Sequence, residues 1–255
     1  MTLIDTHAHL YDETFLTDQE AMLQRATAAG VGQILLPNCD LETVQPMLDL
    51  CQKHPQQCFP MIGLHPCYVK ENFREELEAI KSFLPQNRFW AIGEIGLDFY
   101  WDKTFVAQQE EAFRMQIGWA LDNQLPVVVH SRESTGACLD ILEKTGGGDL
   151  TGVLHCFSGT VAEAERTAAL GLYLGIGGVM TYKKSILPEI VRAVGLERLV
   201  LETDAPYLSP VPYRGKRNES SYVPHIAQAV AVALEIPVEE VARVTTENAR
   251  KLFGL

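Results

Sequence analysis

The amino-acid sequence predicts an α/β protein folded as a (β/α)8 TIM barrel, one domain spanning residues 1–255. Two observations carry this. Short apolar, β-branched runs recur eight times with helix-patterned polar stretches between them, and eight such units in 255 residues match the size of that barrel. A third observation sets aside the main competitor, a doubly wound open sheet: no Gly-rich phosphate loop follows the first strand, and nothing explains why an open sheet stops at eight strands.

Strands are expected at Leu3 to Leu10, Gln33 to Cys39, Phe59 to His65, Phe89 to Asp98, Pro126 to Arg132, Gly152 to Ser158, Tyr173 to Gly178 and Leu199 to Asp204. They read as nearly continuous apolar runs, as strands covered on both faces do. Helices are expected between them, among others at Asp18 to Ala29, Thr43 to Lys53, Phe105 to Asn123 and Thr160 to Leu170, several stopped by a following Gly. Gly146-Gly147-Gly148 reads as the loop before the sixth strand. Beyond the eighth, Ala205 to Tyr222 carries Pro206, Pro210 and Pro212 followed by Arg214, Lys216 and Arg217, a long irregular loop with the densest positive charge of the chain. Helices at about Val223 to Leu234 and Val238 to Phe253 close the barrel. No linker or low-complexity tract divides the chain.

Hydrophobic residues make 47% and charged residues 21% of the sequence, enough for a sizeable core and against disorder. No apolar run approaches the roughly 18 residues of a membrane helix, and Met1 to His7 lacks the basic and apolar regions of a secretory signal, so a cytoplasmic protein with no membrane partner is expected. Cys39, Cys51, Cys58, Cys67, Cys138 and Cys156 show no C-x-x-C spacing and read as reduced thiols. A net charge of −12 repels nucleic acid from the surface as a whole, so any phosphate recognition has to be local.

In a barrel the C-terminal strand ends converge on one mouth, and here they carry one kind of chemistry. The first strand bears His7 and His9, two apart and so on one side of an extended chain; the others end at His65, Glu94, His130, His155 and Asp204. A lone histidine at a strand end is commonly a hydrogen-bonded rim residue. Gathering this many ionisable groups is costly unless something compensates them, and a divalent cation does so. His7, His9, Glu94, His130, His155 and Asp204 are too many ligands for one open zinc but suit two neighbouring ions, with Glu94 shared, Asp204 on the His7/His9 side and His130 with His155 on the other. Histidines favour zinc or manganese, while magnesium in excess can serve a two-metal phosphodiesterase. Such a site hydrolyses: Glu94 and Asp204 join metal and water, and His65, outside the ligand set, can bind a phosphate, protonate a leaving group or orient a ligand.

Asp5-Thr6-His7-Ala8-His9-Leu10, Gly63-Leu64-His65-Pro66, Gly93-Glu94-Ile95-Gly96-Leu97-Asp98, His130-Ser131-Arg132, His155-Cys156-Phe157-Ser158-Gly159 and Glu202-Thr203-Asp204-Ala205-Pro206-Tyr207-Leu208 together resemble the TatD family of metal-dependent hydrolases. The resemblance covers nearly the whole chain, including Gln109, Phe113, Gln116, the Arg214 to Glu219 stretch and Asn248. It implies a TIM barrel of the amidohydrolase superfamily, metal at the six residues named above, and deoxyribonuclease activity. Cys67 and Ser220 depart from the family pattern, Ser220 standing where a proline is expected; neither is a ligand position.

For a DNA substrate, Arg132 can present a bidentate fork at the mouth, and Arg214 and Lys216, with Arg217 and Lys183-Lys184, can offset the overall charge locally. Each is otherwise a surface ion pair or a solvated loop cation. Tyr100, Trp101 and Tyr207 can stack bases, whereas Trp90 lies in a strand-like run and reads as core; Asp98 can pair with a nearby base or with Arg132. The expected activity is an exonuclease on single-stranded or frayed ends, working as a monomer without an obligate protein partner. The rival is a hydrolase of a small amide, lactone or ring, for which the basic groups have no task. A non-catalytic barrel has no need of the six ligand types.

Overall fold

The computed structural model describes residues 2–255. Eight parallel strands alternate with helices: β1 (Leu3–Asp5), α1 (Gln19–Ala28), β2 (Val31–Pro37), α2 (Leu41–Lys53), β3 (Cys58–Met61), α3 (Phe73–Lys81), β4 (Ile92–Asp98), α4 (Val106–Asn123), β5 (Val127–Arg132), α5 (Thr135–Gly146), β6 (Gly152–Leu154), α6 (Val161–Ala169), β7 (Tyr173–Ile176), α7 (Leu187–Val194) and β8 (Leu199–Leu201), followed by α8 (Val223–Leu234) and α9 (Val238–Phe253). The ladders run β1-β2-β3 and β4-β5-β6-β7-β8. Two seams join them: Ile62 bridges Ile92, and Ala8 bridges Ala205. The second seam runs through the ends of β1 and β8, where Thr6 N–H donates to Leu201 (3.0 Å), Asp204 N–H to His7 (2.9 Å) and His9 N–H to Ala205 (2.7 Å). The predicted barrel is therefore closed.

Strand alternation sorts the core into two parts. Ile4, Leu35, Phe59, Met61, Ala91, Val128, Val153, Tyr173 and Val200, drawn from every strand or its first turn, point inward and pack with Ala249, Leu252 and Phe253 of α9, which plugs the lower end. Their neighbours in sequence, such as Leu3, Ile34, Leu36, Val127, Leu154 and Leu199, point outward against the helices. Local chemistry sets the helix starts. Asp40 with Thr43 and Thr160 with Glu163 form capping boxes before α2 and α6. Gly254 in the left-handed region stops α9.

Several strands end earlier than their apolar runs suggest. β1 stops at Asp5, β3 at Met61, β6 at Leu154 and β8 at Leu201, so His7, His9, His65, His155 and Asp204 lie just past the ladders. These segments keep single backbone bonds to their neighbours, such as His155 N–H to the Val129 carbonyl at 3.0 Å, beyond the regular ladders. Helices α3, α5 and α7, which the periodic reading did not single out, complete the alternation. No helix among the described residues is long and apolar enough to cross a membrane.

Gly96 sits in β4 at φ +138°, paired with His130 of β5, and a Cβ there would overlap the His130 carbonyl. Only glycine allows this approach. Gly96→Ala is expected to lower stability by at least about 2 kcal/mol, combining backbone strain with a clash that only backbone movement relieves. Chemical denaturation of both proteins measures it.

Candidate metal centre

Glu94 reaches the mouth through an irregularity in β4. Gly93 pairs with Val128 and Ile95 with the next residue, Val129, so Glu94 is the extra residue of a bulge. Bulges re-aim side chains in this way, and the Glu94 carboxylate, 2% exposed, becomes the hub of the mouth. His130 Nδ1 stands 2.8 Å and His155 Nε2 2.9 Å from its Oε1, with His65 Nε2 at 3.2 Å. On Oε2, His7 Nε2 lies at 3.1 Å and His9 Nε2 at 3.6 Å. Asp204 closes the far side, its Oδ1 3.6 Å from His9 Nε2 and 3.8 Å from His7 Nε2. The structure thus brings together every ligand candidate of the sequence, and His65 with them.

The electrostatics favour positive charge in the mouth. Burial would raise the Glu94 carboxyl, but the charges of His155, His65 and His7 outweigh it and hold Glu94 ionised, well below its ordinary value. Asp204 is held low in the same manner, burial being overcome by the His9 hydrogen bond and by His155 and His7. Burial in turn lowers His7 and His65, whereas at His9, His130 and His155 the neighbouring acidic groups outweigh burial and raise the rings above their ordinary value. His7 and His9 point their Nε2 atoms at each other across 3.3 Å, and the His7 and His155 rings stack at 3.8 Å. Rings so placed converge their nitrogens on a space bounded by carboxylates. Ligating atoms of His7, His9 and Glu94, of His7, His155 and Asp204, and of His65, Glu94 and His130 lie within 4.8 Å of one another in each group. Imidazole nitrogen and carboxylate oxygen are the donors that first-row divalent ions take.

The opposite ring nitrogens reveal the proton positions. Tyr11 donates its hydroxyl to the Pro37 carbonyl (2.8 Å), so it accepts from His9 Nδ1 (3.0 Å) and leaves Nε2 free. The Asp98 Oδ2 takes the Nε2 proton of His130 at 2.9 Å, leaving Nδ1 facing Glu94. His155 Nδ1 faces the buried carboxylate of Glu202 at 3.4 Å. Glu202 also accepts the Cys156 N–H, and a Cβ on Gly175 would overlap its carboxylate. His65 behaves oppositely. Its Nδ1 accepts the Cys67 N–H at 3.1 Å, so the proton sits on Nε2 and His65 enters the site as a donor.

Asp98 therefore pairs with His130, and Arg132 stacks instead, its Cζ 4.1 Å from the Tyr100 ring centre and 5.3 Å from that of Trp101. Arg214 stacks on Tyr182 at 4.5 Å, and the Lys216 side chain is exposed. Arg217 does not serve the mouth. It is tied to Asp18 of the segment before α1 at 2.7 and 2.8 Å and lies over Phe15, so it fastens the last loop to the barrel. Asn218 does likewise, donating to the Thr203 and Tyr207 carbonyls. Lys183 and Lys184 are exposed; Trp90 meets Phe59 edge-on beneath the barrel, as core. Gln109 and Gln116 accept the backbone N–H of Asp98 (3.0 Å) and Leu64 (2.7 Å), steadying two strand ends. Sequence reasoning missed Tyr11 and Glu202. The second was within reach, since Glu202 precedes Asp204 by two residues and shares its side of the strand. His225, also passed over, packs on Tyr213, apart from the candidate ligands.

A model of the TatD related DNase family matches residues 4–254. The chain is 38% identical over 254 residues to the metal-dependent hydrolase YabD of Bacillus subtilis, covering 99% of both chains. It is 34% identical over 259 residues to the 3'-5' ssDNA/RNA exonuclease TatD of Erwinia tasmaniensis, covering 99% of this chain and 100% of that one. YJJV, a TatD homolog from Escherichia coli, superposes with a TM-score of 0.93 at 31% identity, covering 99% of this chain and 98% of that one. An organophosphorus hydrolase from Deinococcus radiodurans, 13% identical over 99% of this chain and 93% of that one, shares the fold with a TM-score of 0.65.

Asp98→Asn keeps the size of the side chain but weakens the acceptor that fixes the His130 ring. The expected result is a roughly 10- to 100-fold loss of affinity for one divalent ion, the usual scale for a carboxylate behind a ligating histidine. Competition titration against a chromophoric chelator reads this without reference to activity.

Proposed function

This chain belongs to the TatD-related DNase family and is a metal-dependent hydrolase, and from that premise we propose that it degrades single-stranded DNA from an end, in the 3′ to 5′ direction. The observation that carries the reading is the convergence of five imidazoles and Asp204 around Glu94. The 3'-5' ssDNA/RNA exonuclease TatD of Erwinia, similar along the whole chain, supports the substrate and the polarity. Arg132 and Arg214 stack on aromatic rings at the mouth and so favour a phosphodiester over a neutral amide or lactone.

His7, His9 and Asp204 would hold one divalent ion, His130 and His155 the other, with Glu94 shared; zinc, manganese and magnesium are the candidates. Bound, such ions supply Lewis acidity, activating water near neutral pH and drawing charge from a phosphoryl oxygen. Asp204, ionised and beside the His9 ring, is placed to orient the attacking water and take its proton. His65 donates from Nε2 and serves the phosphate or the leaving oxygen, its tautomer fixed by the Cys67 N–H. Arg132, Arg214 and Lys216 supply positive charge to the strand as it enters. One chain provides every residue of this set, so a monomer suffices.

The test is a single-stranded oligonucleotide labelled at either end, incubated with Mg²⁺ or Mn²⁺, with chelator, and with Asp204→Ala. Chelator-sensitive shortening from the 3′ end, lost in the variant, is expected; no shortening by a protein holding two ions turns the reading to a small-molecule hydrolase. Glu94→Ala is expected to abolish cleavage and release one or both ions with the fold retained, checked by metal analysis and circular dichroism. Full activity with unchanged metal content removes Glu94 as the shared ligand.

A further inference from the structure

The turn after β4 places two large flat side chains in solvent beside the most polar part of the molecule. Tyr100 is 48% and Trp101 66% exposed, and they meet edge to face at 4.9 Å. Exposed rings of this size cost hydration free energy unless something covers them. Arg132 covers one face only. Its guanidinium makes no ion pair among the described residues, in a chain with 33 acidic side chains, and lies over both rings. Arg214 likewise makes no ion pair among the described residues and stacks on Tyr182, whereas Arg25, Arg74, Arg114, Arg166, Arg217 and Arg243 are ion-paired.

The turn is fixed relative to the metal ligands. Asp98 Oδ1 accepts the N–H groups of Tyr100 and Trp101, both at 2.9 Å, while Oδ2 holds His130. Lys70 secures the next residues, pairing with Asp102 at 3.2 Å and lying over Phe105 at 5.3 Å. One carboxylate thus connects a metal ligand candidate to an aromatic surface. β4 and β5 cooperate in this, since Asp98 pairs with Arg132 in their ladder.

We infer that Tyr100, Trp101 and Arg132 form a nucleobase-stacking subsite, which takes the base next to the scissile phosphate of a single strand. The inference rests on the nuclease reading and names how that site grips its substrate. A base offers a flat face that rings and guanidinium both accept, whatever its identity, and a single strand exposes faces that a duplex hides. A stacked guanidinium keeps its N–H edge free for the adjacent phosphate. The strongly acidic protein thereby acquires strand affinity at one place.

The experiment compares an oligothymidylate with the same strand carrying abasic tetrahydrofuran residues at its last two positions, cut by wild type, Trp101→Ala and Trp101→Phe. Trp101→Ala is expected to raise KM for the normal strand about tenfold, the scale of one base–aromatic stack, with kcat and metal content retained. Trp101→Phe restores most of the affinity, and the abasic strand is cut alike by all three. An unchanged KM, or an equal loss on the abasic strand, overturns the subsite. A second arm needs no turnover. Trp101 is the exposed tryptophan, Trp119 being buried and Trp90 half-buried, so oligothymidylate in chelator should quench emission of the wild type and not of Trp101→Phe. If wild type cuts no strand yet shows that quench, the subsite stands and the nuclease reading falls; absence of quench overturns the subsite whatever the cleavage result.

Discussion

The barrel mouth is organised around one buried, ionised carboxylate. Isolated in a protein interior, Glu94 would cost several kcal/mol, and the five imidazoles that face it offset that cost. His7 and His9, whose Nε2 atoms stand 3.3 Å apart, have the reciprocal need, because two lone pairs at that distance repel unless a proton or a cation lies between them. Carboxylate and rings are stable together only with a cation or protons in their midst. The β4 bulge that aims Glu94 inward and the Gly96 that lets His130 approach are backbone features serving this balance.

The packing beneath holds the arrangement rigid. A layer of apolar side chains, with α9 as its floor, fills the barrel below the polar groups, so charge is confined to one end. Around the rim a further ring of partners acts on the far nitrogens of the histidines: Tyr11 for His9, Asp98 for His130, Glu202 for His155. Carboxylates stand behind the β5 and β6 histidines, a neutral hydroxyl behind His9. The two halves of the mouth thus differ in what backs their histidines, even where their contacts with Glu94 look alike.

Much of this was legible in the residue order. A barrel needs eight apolar runs, and hydrolytic metal chemistry needs imidazole and carboxylate at their ends; His7, His9, Glu94, His130, His155 and Asp204 satisfy both demands in one-dimensional form. What escaped depends on partners remote in sequence. Arg217 looks like a free loop cation until Asp18, 199 residues away, is found against it. From sequence Asp98 could pair with a base or with Arg132, its register partner across β4 and β5, yet its Oδ2 lies 2.9 Å from His130 Nε2 instead. The role of His65 turns on one backbone N–H, from Cys67, that no pattern of side chains announces.

The seam between β1 and β8 has a consequence for biosynthesis. Its hydrogen bonds link His7 and His9 to Ala205 and Asp204, so the same few ångströms of backbone both close the barrel and complete one half of the centre. On the ribosome His7 and His9 precede Asp204 by nearly two hundred residues. A nascent or prematurely terminated chain holds only fragments of the ligand set. A chain terminated before Asp204 therefore lacks both the closing seam and part of the proposed ligand set.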